Sequence, residues 1–148
     1  MPISVCCGTQ LNPTTLVSTG GVSKNGKVTI TGVTFSGSAS APVFTVMGSG
    51  FGKLPSDGTA PVCPETSGAG FIYGGQIYFN DNSSAQWQAG FGNDCIGIIP
   101  EAWSDTSITF ILGSWYSGPG AAQGTALNPG DPYTMTVRGA KYVGAVSL

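Results

Sequence analysis

The chain has 148 residues, of which 24 are glycine, five are basic, seven are acidic and none is histidine. Histidine is the side chain whose ordinary pKa lies nearest neutrality and the commonest metal ligand, so its absence removes most arrangements from which hydrolytic and metal-dependent sites are built. The five cations, Lys24, Lys27, Lys53, Arg138 and Lys141, form no run, which argues against nucleic acid as a partner, and no segment reaches the roughly 20 apolar residues of a membrane span.

Residues 1–22 are rich in Pro, Thr, Ser and Gly and read as a linker, or as an arm that docks on the domain or on a neighbour. The first residues, Met1 to Cys7, lack the basic and long apolar regions of a signal peptide. Two explanations fit: a mature fragment with an added methionine, or a protein released without secretion, such as a virion component. Asn25-Gly26 marks a tight turn, since both residues tolerate positive φ. It leads into Lys27–Thr31, where apolar and polar residues alternate as on a half-buried strand, and Val33–Phe35 extends that strand past Gly32. Pro42–Met47 forms the next strand.

The stretch 48–94 is the least regular, with short strands expected at Phe71–Tyr73 and Gln76–Phe79 around Gly74-Gly75. Cys95–Ile99 reads as a compact apolar strand ended by Pro100. Ser107–Leu112 follows, then a Gly/Pro/Ala loop over 113–130, then strands at Tyr133–Arg138 and Tyr142–Val146. Gly or Pro interrupts every candidate helix. About seven short strands separated by turn chemistry predict an all-β sandwich. At 41% hydrophobic residues, it is large enough to bury a core as one domain.

The four cysteines, Cys6, Cys7, Cys63 and Cys95, include no Cys-x-x-Cys pair and have no histidine to complete a zinc site. Cys63 and Cys95 flank a long Gly-rich connection that a disulfide would pin. Adjacent Cys6 and Cys7 would strain the peptide between them if paired together, so one of them could bridge elsewhere, even to another chain. The alternative is four reduced thiols in a reducing compartment.

Three segments carry a resemblance. Phe44 to Gly52, reading FTVMGSGFG, has a strand followed by a G-x-G-F-G turn. Trp103 to Phe110, reading WSDTSITF, and Leu127 to Val137, reading LNPGDPYTMTV, follow in order. The set resembles the IPT/TIG domains. The resemblance implies an immunoglobulin-like β-sandwich without catalytic residues. It places this chain among modules that serve as receptor segments, dimerisation domains or accessory parts of secreted polysaccharide-active enzymes. The chain departs from that family in its arm (1–22), its cysteines, and an insertion at about 53–94 within the domain 23–148. In physical terms Gly48, Gly50 and Gly52 permit a tight bend and Phe51 turns inward as a plug. Trp103 packs between the sheets, or else forms a ligand platform, while Asp105 and Thr106 satisfy turn amides.

The best site candidate runs from Tyr78 to Asp94, where aromatic, amide and carboxylate groups mix. Sugar recognition needs such a mixture: an aromatic plane for the C–H face of a pyranose and amides for its hydroxyls. Trp87, Asn82 and Gln88, with Trp115 and Tyr116 from the later loop, are the expected ligand-binding residues. The opposing reading has Trp87 covering a small core of its own, and the Trp115-Tyr116 loop folded over a sheet edge. Asp81, Asn82 and Asp94 are candidate calcium ligands, although no EF-hand order is present, and the same residues serve ordinary turns. Asn82-Ser83-Ser84 is a glycosylation sequon. The carboxylates Glu65, Asp81, Asp94, Glu101, Asp105 and Asp131 are too scattered to nominate a glycosidase pair, and no serine has a histidine base. The expectation is a non-catalytic extracellular or surface module that binds carbohydrate or a cell-surface glycan, without nucleic acid, membrane insertion or an obligatory cofactor. The alternative is a structural or assembly protein, such as a virion decoration protein, adhesin or surface-layer subunit, that self-associates through the arm and the Gly-rich loops.

Overall fold

The computed structural model describes residues 20–59, 68–84, 86–91, 95–116 and 126–148. Among the described residues there are nine strands and no helix. They are β1 (Gly21–Val22), β2 (Thr29–Ser38), β3 (Ala41–Ser49), β4 (Ile77–Asp81), β5 (Gln88–Ala89), β6 (Ile98–Trp103), β7 (Ser107–Leu112), β8 (Pro132–Val137) and β9 (Ala140–Ala145). A five-stranded sheet in the order β1-β2-β3-β7-β6 faces a four-stranded sheet in the order β5-β4-β8-β9, with every strand pair antiparallel. Lettering β2 to β9 as A, B, C, C′, D, E, F and G gives the sheets A-B-E-D and C′-C-F-G, the immunoglobulin arrangement.

Alternation explains which faces are buried. Ile30 on β2, Phe44 and Val46 on β3, and Ile108 and Phe110 on β7 point from the first sheet into the core. Ile77 and Phe79 on β4 and Tyr133, Met135 and Val137 on β8 meet them from the second. The sheets lock through aromatic rings. Phe110 stacks on Phe44 at 4.6 Å, Phe44 meets Phe79 edge-on across the interface at 5.0 Å, and Phe79 stacks on Tyr133 at 5.4 Å. Each fully buried Phe contributes about 1.5–3 kcal/mol by burial alone.

Three sequence expectations shift. The residues expected as an insertion at 53–94 supply β4 and β5, and β4 sits inside its sheet between β5 and β8, so this stretch belongs to the sandwich framework. The strand expected at Cys95–Ile99 lies instead at Ile98–Trp103 and continues through Pro100. It can do so because β6 is an edge strand, where a missing N–H breaks no ladder, and a bulge between Pro100 and Ala102 absorbs the irregularity. At the other end, β1 pairs Gly21 with Ile30 and Val22 with Thr29, so the sheet begins inside the segment assigned to the arm.

The segments FTVMGSGFG and WSDTSITF meet at one end of the sandwich. The Asp105 carboxylate accepts from the N–H groups of Gly52 (3.0 Å) and Gly50 (3.4 Å), and the Asp105 carbonyl accepts from Phe51 N–H (3.0 Å). The Thr106 carbonyl accepts from Gly48 N–H (3.0 Å). Phe51 is fully buried. Gly50 has φ +79° and a Cβ there would lie 1.9 Å from the Lys27 carbonyl oxygen, so only glycine fits. Arg138, in the two-residue turn between β8 and β9, reaches the same hook. Its guanidinium donates to the carbonyls of Phe51 and Lys53 (2.8 Å to the latter) and to the Gln76 side-chain oxygen (3.2 Å). Trp103 was expected between the sheets. It sits half-buried at the rim of the core, its indole N–H donating to the Gly52 carbonyl (3.1 Å) and its ring facing Arg138 at 5.8 Å. Its place on the last residue of an edge strand puts it there.

Candidate functional site

The pleat of β4 sends Tyr78 and Asn80 to the outer face of the four-stranded sheet while Ile77, Phe79 and Asp81 turn inward. Gln88 on β5 lies opposite Asn80, and its side-chain amide donates to the Asn80 side-chain oxygen at 3.3 Å. The Asn82 amide donates to Thr134 Oγ1 at 2.8 Å across the gap to β8. Together Asn80, Asp81, Asn82, Gln86, Trp87 and Gln88 line an open cavity of about 240 Å³. The walls are rich in amides, which can both donate to and accept from a ligand. Beside the cavity, Tyr78 stacks on Phe91 at 4.8 Å, and Phe91 is 44% exposed.

The structure thus gathers Asn82, Trp87 and Gln88 at one cavity and leaves Trp115 and Tyr116 outside its lining. Trp87 is only 3% exposed, with its ring packed between Phe79 (5.5 Å) and Tyr116 (5.4 Å). Its faces are therefore covered, as in the core-covering alternative. Gln86, held at φ +50°, precedes it and turns the chain so that the indole goes under the hairpin. The Trp87 Nε1 is buried without a hydrogen-bond partner.

Tyr116 is likewise buried. Its hydroxyl donates to the Ala39 carbonyl and accepts from Leu127 N–H (2.8 Å), tying the β2–β3 turn to the chain entering β8. Trp115 is half-buried against the core. Tyr116 also borders a second, mainly apolar cavity of about 210 Å³ beside Pro42, Ile111 and Leu112.

Asp81 is 3% exposed. Its Oδ1 accepts from the backbone N–H of Ser83 (2.8 Å) and from the Ser83 hydroxyl, an Asx turn that starts the hairpin. Its Oδ2 is buried and meets no donor, while the Asp131 carboxyl lies against it. Burial raises the Asp81 pKa above the ordinary carboxylate value and the Ser83 hydrogen bonds oppose the rise. The Asp131 charge adds to it. Of the candidate calcium ligands, Asp94 lies outside the described residues. Among the described residues no group of three His, Cys, Asp or Glu side chains converges on one point. Cys95 is half-buried and holds φ +64°. Cys6, Cys7 and Cys63 lie outside the described residues, and so does the geometry of the Cys63–Cys95 pairing, as does the insertion carboxylate Glu65.

Tyr78, Asn80 and Phe91 fall inside the candidate segment Tyr78–Asp94, but sequence reading did not single them out, although alternation along Gln76–Phe79 was already in hand. It also missed the Asp81–Asp131 pair, which arises because Asp81 registers with Tyr133, two residues past Asp131. The chain matches no protein-family model, no curated protein and no solved structure, so its function is argued from this geometry.

Proposed function

We propose that the chain is a non-catalytic binding module that takes a neutral, hydroxyl-rich ligand, a carbohydrate or surface glycan, on the outer face of its four-stranded sheet. The observation that carries the reading is the cavity lined by Asn80, Asn82, Gln86 and Gln88 beside the exposed Phe91, which stacks on the half-buried Tyr78. A ligand with many hydroxyls meets amides that donate and accept, and an aromatic surface covers its C–H face. In this reading the amides, with Asn82 and Gln88 among them, and the Tyr78 and Phe91 rings make the main contacts, while Trp87 lies in the cavity lining with its faces covered.

A surface or extracellular location accords with this reading, as does a disulfide joining Cys63 to Cys95, since Cys95 is not a free thiol. Membership of an IPT/TIG-like group is supported by the way Asp105 joins the two segments that carry the resemblance. The test is a glycan array run with and without calcium, followed by calorimetric titration of the best ligand. Phe91→Ala and Asn80→Ala should each weaken binding about tenfold, the loss of one stacking or hydrogen-bonding group. An array without signal, or a ligand indifferent to both substitutions, would overturn the reading.

A further inference from the structure

The sandwich has four sheet edges, and three are closed to further pairing. On β6, Pro100, Glu101 and a bulge interrupt the edge. The β5 edge is two residues long. The β9 edge carries Lys141, and Gly21 of β1 lies so close to the Lys141 carbonyl that a Cβ there would sit 2.3 Å from its oxygen. The β2 edge is different. β1 pairs only with Thr29 and Ile30, so among the described residues no strand is hydrogen-bonded to the outer side of Val33-Thr34-Phe35-Ser36-Gly37-Ser38. That run has no charge and no proline, the usual guards of an exposed edge. Phe35 within it is half-buried, touching Phe44 and Tyr133 at 5.2 Å each with its remaining surface at the sheet margin.

We propose that this edge is the docking site of the chain's own N-terminal arm, residues 14–19, which would continue β1 along β2 and guard it. Two observations select this occupant. The first is direction: β1 runs antiparallel to β2 and is entered from Gly20, so the preceding chain arrives at the start of the open edge. The second is length and pattern. Gly21 pairs with Ile30, and β2 carries one extra residue at its bulge between Ile30 and Gly32. Counting back past that bulge sets Thr19 opposite Val33, Val17 opposite Phe35 and Thr14 opposite Ser38. The segment Thr14-Thr15-Leu16-Val17-Ser18-Thr19 is uncharged and rich in strand-favouring residues. Pro13, which cannot donate to a ladder, falls where β2 ends. In that register Val17 would take the inward position and cover the open side of Phe35. The six arm residues match the six open residues of β2.

The consequence is that the arm suppresses self-association instead of driving it. Hydrogen exchange on the full chain tests this directly. The alternate amides between Val33 and Ser38 that point away from β3 should be protected about tenfold or more over the free-chain rate, and Val17→Pro, which removes a donor and the covering side chain, should abolish that protection while leaving the amides bonded to β3 protected. Light scattering completes the test: the full chain should be monomeric, while Val17→Pro and a chain lacking residues 1–19 should self-associate. Unprotected amides in the full chain would overturn the proposal. So would an oligomeric full chain that becomes monomeric on arm deletion, since the arm would then be exchanged between copies.

Discussion

Replacing Asp81 with Asn should stabilise this protein at neutral pH, although it removes an acidic side chain whose Oδ1 anchors a turn. The Oδ1 contacts to Ser83 survive, because an Asn side-chain oxygen accepts the same two hydrogen bonds. What changes is Oδ2, buried without a donor and facing the Asp131 carboxyl. An amide nitrogen in its place can donate to Asp131. A buried polar atom left without a partner costs about 1–3 kcal/mol, and this sets the expected gain. The pH dependence follows from the direction of the shift. The folded Asp81 holds its proton more tightly than the unfolded one, whose pKa is about 3.9. The stability from this group is therefore complete below about pH 3.9 and is lost as pH rises through the higher folded value. Near pH 4 the protonated acid and the amide are close equivalents, so the two proteins should differ little there. The gain should open towards pH 7. Urea unfolding of both proteins at about pH 4 and about pH 7, followed by circular dichroism, measures the difference directly. A variant less stable than the parent at pH 7, or a difference that does not change with pH, would refute the reasoning.

The remaining predictions concern the hook and the core. Asp105→Ala removes both carboxylate contacts to the Gly50 and Gly52 amides and should cost about 1–2 kcal/mol in urea unfolding, the scale of a lost cap; an unchanged midpoint would deny the clasp its role. Arg138→Lys keeps the charge but cannot span Phe51, Lys53 and Gln76 together, so it should destabilise by about 1–3 kcal/mol and change Trp103 fluorescence. Gly144→Ala would bring a methyl to 2.7 Å from the Tyr133 hydroxyl, and that ring is wedged among Phe35, Phe79 and Tyr142. The overpacking should lower stability by about 1–3 kcal/mol, visible as a reduced melting temperature.

Strands whose alternation is long and uninterrupted were legible in the sequence: β2, β3, β7, β8 and β9 fall where the period-two pattern puts them. Pro100 misled because its effect depends on whether a strand is at an edge, and edge position is a property of the sheet. The strand at Gln76–Phe79 was legible from its alternation, yet the stretch read as an insertion, because the position of β4 between β5 and β8 is a property of the sheet. At the site, Asn82, Gln88 and Trp87 were found by composition and did converge on one cavity. The orientation of Trp87 was not legible. An indole in a polar loop looks the same in sequence whether it points out or in, and here Phe79 and Tyr116, 8 and 29 positions away, supply the surface that draws it under.

The buried, unpartnered indole of Trp87 gives the molecule a built-in optical reporter. An indole without a hydrogen-bond acceptor, shielded from water by Phe79 and Tyr116, emits at the blue end of the tryptophan range. Trp103, bonded to Gly52 and facing a guanidinium at the rim, emits to the red of it. Trp87 is the most buried of the three tryptophans, Trp103 and Trp115 being half-buried, and it lines the amide-walled cavity, so the blue edge of the emission spectrum should report on the floor of the proposed site. Occupancy of that cavity would be read there without any label.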